Sequence, residues 1–280
     1  MKQLREFITT GMGTEGSLLI VKTIYDTLIE EVAKKQIPED VVAIWLDAGS
    51  IPGSSIDVDL VTPDSMDVRE VAEGGPFPID VVKYETFNMK PKKVGVQCTI
   101  TKEMVEDGKW DLIDHHAKVA GVRMAEYFTD RVINDALENA TSSTTSVASM
   151  DVATITRAMQ YLEDLDYTPT DIFMGPTVVN DIRNLDAFAD AAVHGTDEMQ
   201  RTGMIGQIYG VNVHVISARL INTLYAYMID RAHAIIVAEK RPVTVENYDQ
   251  VTHDLSGLVV SRRIKVRYLR ADAIVKMVTT

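Results

Sequence analysis

Two alternating runs, set far apart with almost nothing helical between them, restrict the fold more than any other feature. Ile56, Val58 and Leu60 alternate with Asp57 and Asp59; later, Val94, Val96, Cys98 and Ile100 alternate with Gly95, Gln97, Thr99 and Thr101. Alternation of period two marks half-buried strands. Pro63, Gly74, Gly75, Pro76, Pro78 and Pro91 lie between the runs and are too many breakers for a helix. The pattern predicts a two-armed β excursion over 55–101 that leaves the body and returns. Each arm has roughly 20 residues, so at about 3.3 Å per residue it reaches up to about 60 Å. An isolated two-stranded ribbon is marginal in water. Contacts from outside the chain are expected to hold it.

The arms differ in charge. Residues 57–80 carry Asp57, Asp59, Asp64, Asp67, Glu70, Glu73 and Asp80 against Arg69 alone, whereas residues 81–102 carry Lys83, Lys90, Lys92, Lys93 and Lys102 against Glu85 alone. The plain explanation is cross-strand pairing on a solvated ribbon, which is worth little per pair. The sharper one is complementary contact with neighbouring subunits. Both stay open.

The rest of the chain sorts by periodicity. Residues 1–17 are polar with Gly11, Gly13 and Gly16, a flexible arm. Ser17 can cap a helix through Leu18, Val21, Tyr25, Leu28, Ile29 and Val32 that ends at Pro38. After the excursion, Ile113, Ala117, Ala120, Met124, Phe128, Val132 and Ala136 step by three or four residues, a helix of about 40 Å. A Ser/Thr-rich turn at Thr141–Ser146 ends it. Asp151 opens a helix with Val152, Ile155, Met159 and Leu162, and Ile172–Met174 is a strand stopped by Gly175-Pro176. A helix through Val178, Val179, Ile182 and Leu185 follows, then strands at Val211–Val215, Tyr225–Ile229 and Ala234–Val237. Residues 163–199 are acidic with only Arg183 against them, and alternating closing strands follow Pro242. The whole is an α+β chain.

Composition narrows the function. Lys+Arg 28 against Asp+Glu 41 gives a formal charge of −13, the wrong sign for gripping nucleic acid over a broad surface. One cysteine, Cys98, excludes an intrachain disulfide and a Cys-rich zinc site. No apolar run approaches the ~20 residues of a membrane span, and no membrane partner is expected.

Candidate chemistry is thin. Gly11-Met12-Gly13-Thr14-Glu15-Gly16 matches a dinucleotide-binding string, but the preceding Gln3–Glu6 is too polar for the buried strand that such a site requires. His115 and His116 diverge by about 100° on a helix and cannot share a metal. His194 and His214 fall in a loop and a strand, with structural or solvated roles expected. Asp57, Asp59 and Asp64 lack the glycine and closing glutamate of a calcium loop. Cys98 lies on the apolar face of its run and reads as a small hydrophobe. No catalytic, cofactor or metal site is predicted.

The order of arm, helix, β excursion, long helix, acidic α/β region and closing strands resembles the major capsid protein of tailed bacteriophages and archaeal tailed viruses, with the HK-ninety-seven-like fold. Pro78–Glu85 and Cys98–Asp107 look like that family's return arm entering its spine helix. Gly203–Val213, Ala226–Arg231 and Arg270–Ile274 are similar to its later strand segments. The resemblance implies an N-terminal arm (1–17), a helix leading into the peripheral domain (18–54), an extended E-loop (55–101), and a peripheral domain with the spine helix (102–146). It further implies an axial domain (147–238) and closing peripheral strands (239–280).

It also implies inter-subunit contacts. On the E-loop these are Asp64, Asp67, Arg69, Glu70, Glu73, Lys83, Lys90, Lys92 and Lys93; on the peripheral loop, Tyr248, Asp249, His253 and Asp254. In the axial domain they are Asp190, His194, Asp197, Glu198 and Arg201. The implied partners are further copies, as hexamers and pentamers in an icosahedral virion shell around double-stranded DNA held without sequence-specific binding. A portal and, since the sequence has no long N-terminal scaffolding extension, a separate scaffolding protein are expected too, with assembly in the host cytoplasm. The alternative is an encapsulin-type compartment shell; a more distant one is a nucleotide-binding enzyme.

Overall fold

A computed structural model describes residues 41–49, 53–61, 84–101, 112–140, 143–147, 149–184 and 206–279, with Ile37, Glu103 and a few positions between 69 and 79. The glycine string, the helix expected through Leu18 to Val32 and, within the acidic region 163–199, residues 185–199 lie outside the described residues.

Two sheets and one long helix build the body. Strands β1 (Ile44–Asp47), β4 (Lys92–Thr101), β10 (Ile235–Gln250) and β11 (Leu255–Tyr268) form a four-stranded sheet in the order β1-β10-β11-β4. A six-stranded sheet contains β5 (Ser143–Val147), β6 (Asp171–Met174), β7 (Gln207–Ile208), β8 (Val211–Val215), β9 (Tyr225–Ile229) and β12 (Ile274–Thr279), ordered β5-β12-β9-β6-β8-β7. The remaining strands, β2 (Ile56–Val61) and β3 (Tyr84–Met89), form an antiparallel ribbon. Helices α1 (Leu112–Arg131), α2 (Val152–Glu163) and α3 (Pro176–Arg183) complete the architecture.

The central strands β6, β9 and β12 of the six-stranded sheet are buried on both faces, and their alternation divides them between two cores. Phe173, Tyr227, Ile229 and Ile274 face one core with Phe128, Val132 and Ile133 of the α1 region and with Ile235, Val237, Ile264 and Val266 of the other sheet. Their neighbours Ile172, Met174, Ala226, Met228, Val275 and Met277 face the opposite core beneath α2 and α3. Side chains of successive strand residues point to opposite faces, so one strand serves both layers. Asp151 caps α2, its carboxylate accepting from Thr154 N at 2.7 Å and Thr154 Oγ1 at 2.6 Å. Pro176 starts α3 where no backbone donor is needed.

The apolar stripe of α1 is buried as its spacing predicts: Ala117, Ala120, Met124 and Phe128 lie inside. Small Ala117, Ala120 and Ala125 pack against Val243, Val260 and Leu258 of the four-stranded sheet. Beyond Arg131 the helix widens into a π-helical turn, Val132–Leu137, with Glu138 N bonded to Ile133 O at 2.8 Å. The wider turn buries Val132, Ile133, Ala136 and Leu137 together and leaves Asp135 to accept from Lys265 Nζ at 2.6 Å.

Strand pairing differs from the expected two-armed picture. The run Ile56–Val61 pairs with Tyr84–Met89, placing Ile56 opposite Met89 and Val61 opposite Tyr84. The run 94–100 instead joins β11, with Val94 opposite Arg262 and Cys98 opposite Leu258. Alternation fixes which face a residue takes, not which strand lies beside it. The closing segment 239–280 also divides. A boundary at 238/239 falls inside the continuous β10, and β12 returns to the six-stranded sheet between β5 and β9, because Val275 and Met277 complete the core under α2.

β4 and β11 approach so closely that a Cβ at Gly257 would stand 1.9 Å from the Cys98 carbonyl oxygen. Gly257→Ala is expected to destabilise the protein by about 1–3 kcal/mol or more, as overpacking against rigid backbone does. Urea unfolding followed by circular dichroism measures it; an unchanged midpoint would contradict this pairing.

Candidate inter-subunit surfaces

The root of the ribbon has a core of its own. Ile56, Phe87 and Met89 are buried against Ala48, Ile236, Ala238 and Leu269, with Val58 and Leu60 partly covered. The Arg267 guanidinium lies 4.3 Å from the Phe87 ring centroid. On the outer face Asn88 Nδ2 donates to Asp57 Oδ1 at 2.5 Å and Thr86 Oγ1 donates to Asp59 Oδ1 at 2.6 Å. Charged lysines therefore do not answer the acidic arm there: among the described residues, the groups opposite Asp57 and Asp59 are neutral. The outer end differs from the root. Phe77 is 84% and Ile79 92% exposed, with Val61 and Tyr84 also open to solvent.

The sequence-derived contact residues divide among three places. Arg69, Glu70 and Glu73 are exposed on the excursion, while Asp64, Asp67 and Lys83 lie outside the described residues. Lys90, Lys92 and Lys93 are exposed where β3 turns into β4. Lys92 and Lys93 stand opposite Ile264 and Arg263 in the sheet, which sets Lys93 beside Arg263. Tyr248 and Asp249 belong to the end of β10, opposite Gly257 and Ser256. His253 and Asp254 are exposed at the hairpin tip, where Asp254 takes a left-handed conformation with φ 52°. From Ile264 to Leu255 along β11, the lysine group and the hairpin tip are about 30 Å apart. Asp190, His194, Asp197, Glu198 and Arg201 lie outside the described residues.

Buried charge, which the sequence pattern does not single out, organises the interior. Asp171 is fully buried at the start of β6. Arg231 donates to it from Nε at 3.0 Å and Nη2 at 2.9 Å, and His214 Nε2 lies 2.8 Å from Oδ1. Burial alone would raise the Asp171 carboxyl, but hydrogen bonds from His214, Arg231 and Thr170, with the Arg231 charge, outweigh it. The carboxyl is held well below the usual range. At the far side of the sheet Tyr227 donates to Glu138, which also accepts from Lys276 Nζ at 2.7 Å. Burial, then that bond, pushes the Tyr227 phenol well above its ordinary value. Burial also raises the half-buried Cys98 thiol, which packs with Val94 and Val96 against α1.

These sites hold structure together rather than perform a reaction. Among the described residues no three metal-binding side chains converge, and no helix is long and apolar enough to cross a membrane. What the surface offers is an anchored ribbon with an apolar end and a long hairpin with a polar tip. A family model described as phage capsid protein matches residues 84–277.

The chain belongs to the phage capsid protein family.

It is a viral major capsid protein, a structural component of the virion shell and not an enzyme. The encapsulin-type and nucleotide-enzyme alternatives are not favoured. No curated protein matches the chain. Solved structures share its mixed α+β fold. The capsid of cyanophage P-SCSP1u superposes with a TM-score of 0.68 at 12% identity, covering 88% of each chain. A chain from Mycobacterium phage Che8 gives 0.66 at 12% identity over 85% of this chain and 90% of that one. A virus-like particle from Pyrococcus furiosus gives 0.62 at 15% identity, over 92% and 99%. Capsid-family membership makes assembly with further copies the setting of all these surfaces.

Asp171 gives a pH-dependent prediction. Its native carboxyl titrates below the unfolded value of about 3.9, so the unfolded chain binds more protons between the two. Its stabilisation is complete above that value and is lost as pH falls through the native one. Asp171→Asn is expected to cost about 1.5–3 kcal/mol at neutral pH and to flatten the loss of stability below pH ~4. Paired urea titrations at several pH values measure both effects.

Proposed function

We propose that the protein forms the hexamers and pentamers of an icosahedral shell that encloses double-stranded DNA without reading its sequence. The observation that supports this best is the divided ribbon, whose root is packed while its end carries Phe77 and Ile79 almost fully exposed. Large apolar side chains projected from a ribbon that lacks a second layer are stabilised when a neighbour covers them.

In this proposal 55–101 is the E-loop laid over an adjacent copy, with Asp64, Asp67, Arg69, Glu70, Glu73, Lys83, Lys90, Lys92 and Lys93 at its contacts. The 102–146 region and the β10–β11 hairpin make the peripheral domain. Tyr248, Asp249, His253 and Asp254 meet their counterparts near three-fold axes. Residues 147–238 with β12 form the axial domain, where Asp190, His194, Asp197, Glu198 and Arg201 pack around the five- and six-fold axes. Residues 1–17 reach another neighbour. A separate scaffolding protein and a portal direct assembly in the host cytoplasm. The charge of −13 keeps the wall from adhering to the packaged duplex.

Electron microscopy of purified protein, with sizing at low and high concentration, tests the assembly. Closed shells or five- and six-membered rings are expected; compact monomers or dimers at every concentration would overturn it. Isolated subunits are expected to show no tight binding to duplex DNA at physiological salt. Replacing Phe77 and Ile79 by Ser is expected to weaken assembly at least tenfold, since each large side chain contributes about 1.5–3 kcal/mol when covered. Subunit unfolding midpoints should stay unchanged. Reversing Lys90, Lys92 and Lys93 to Glu should lower shell yield in a salt-dependent way, measured by sedimentation.

A further inference from the structure

Past the root of the ribbon, the four-stranded sheet has an open face on the side away from α1. On β4, Val94, Val96 and Cys98 pack toward α1. The alternate residues Lys93, Gly95, Gln97 and Thr99 therefore take the other face, and all four are exposed. On β11, Val260 and Ile264 pack inward, which leaves Ser261 and Arg263 on the open side. β10 contributes Arg241. Its pairing shifts register on both sides of this residue, and Arg241 Nη2 donates to Ser261 Oγ at 2.6 Å, which sets the guanidinium on that same face.

The register turns these residues into a row of cations. Arg241 stands opposite Arg263, and Arg263 stands opposite Lys93. At about 4.8 Å between neighbouring strands, the row is about 10 Å long. Like charges directly opposite one another destabilise a sheet. Here none of the three forms an ion pair with a described residue; Arg263 Nε donates to the Pro91 carbonyl at 3.2 Å. Arg241 Nε is buried with no partner among the described residues, a cost that the oxygen of an incoming anion removes. The next row, Thr244, Ser261 and Gly95, is neutral, and the acid Glu246 stands one row farther on, opposite Val259.

We propose that this row receives the acidic arm of a second copy's ribbon, with the carboxylates of that copy's Glu70 and Glu73 on Arg241, Arg263 and Lys93. Both glutamates are exposed. Three residues apart, they stand up to about 10 Å from each other in an extended chain, the length of the row. Their arm has the opposite sign, since residues 57–80 carry seven acids against Arg69 alone. Within one chain the two lie at the wrong end of the ribbon. They follow Val61 at its outer end, whereas Lys93 follows Met89 at its root, and the five steps from Met89 to Tyr84 separate those ends by about 17 Å. Duplex DNA fits the row less well, because three cations neutralise few phosphates against a net charge of −13. The site rests on the proposal that the ribbon lies over a neighbour and names what receives it there.

The test uses the full-length chain and a charge swap. Lys93→Glu with Arg263→Glu, and separately Glu70→Lys with Glu73→Lys, are each expected to weaken assembly about tenfold or more in sedimentation. The protein carrying all four substitutions is expected to regain it, a recovery that a misfolded subunit does not show. Undiminished assembly of either pair, or a swap no better than the weaker pair, overturns the site. Carbodiimide coupling supplies an independent readout on unsubstituted protein assembled from a mixture of isotope-labelled and unlabelled subunits. Peptide mass spectrometry is expected to find Lys93 joined to Glu70 or Glu73 in mixed-isotope pairs; pairs of a single isotope only, or no such pairs, count against it. If the unsubstituted protein forms no shells or rings, the shell reading falls and the site with it. Shells without rescue and without the Lys93 link overturn the site alone. Unaltered shells of Lys93→Glu/Arg263→Glu that retain less duplex DNA would assign the row to phosphate and overturn it as well.

Discussion

A charge buried where four elements meet sets the geometry of the body. Arg262 of β11 is 4% exposed and donates from Nε to Glu239 Oε1 of β10 at 2.6 Å. The other Glu239 oxygen accepts from Trp45 Nε1 of β1 at 3.1 Å. The guanidinium lies 5.5 Å from the Trp45 ring and 5.2 Å from the Phe128 ring of α1. A desolvated guanidinium is tolerated only with its partners in place, so this cluster fixes β1, β10 and β11 in register and seats α1 across them. The strand pairing shifts register just beyond Glu239. That irregularity lets the carboxylate meet Arg262, while the strands run on to the hairpin tip.

Everything that reaches outward hangs from this point. On one face of β10, Ile235 and Val237 join the core beneath α1. On the other, Ile236 and Ala238 receive the root of the ribbon. The same four residues therefore hold the helix and the ribbon on opposite sides of one strand. A disturbance of Glu239 or Arg262 would move both. The hairpin tip is the far end of strands that start here, so its position is set by their register rather than by local turn chemistry.

Much of the element order is legible in the sequence, because period is a local property. The stripe from Ala117 to Phe128, the alternation of Val211, Val213 and Val215, and the strand before Gly175-Pro176 all appear where their spacing puts them. Partner choice is not local. Cys98 lies beside Leu258 and Asp57 beside Asn88, and nothing in the alternation of either run names its neighbour. The opposite charges of the two arms suggest direct pairing, yet the register places neutral groups across from Asp57 and Asp59. Arg262, Glu239 and Asp171 escape notice for a different reason. A charged residue in an alternating strand looks solvent-facing until the layer covering it is known. The exposed Phe77 and Ile79 are hidden in the sequence among the breakers around them.

The division between root and end of the ribbon carries the physical logic of a shell subunit. If the whole ribbon were packed within the chain, its outer end would have nothing left to offer a neighbour. If none of it were, the ribbon would lose its direction, since a free two-stranded ribbon is marginal. Packing Ile56, Phe87 and Met89 fixes where the ribbon leaves the body, and in the proposed assembly the uncovered Phe77 and Ile79 are completed by another copy. On that proposal, folding energy specifies the direction of each contact, and assembly energy its strength. The two can be altered separately, because they reside in different residues of the same excursion.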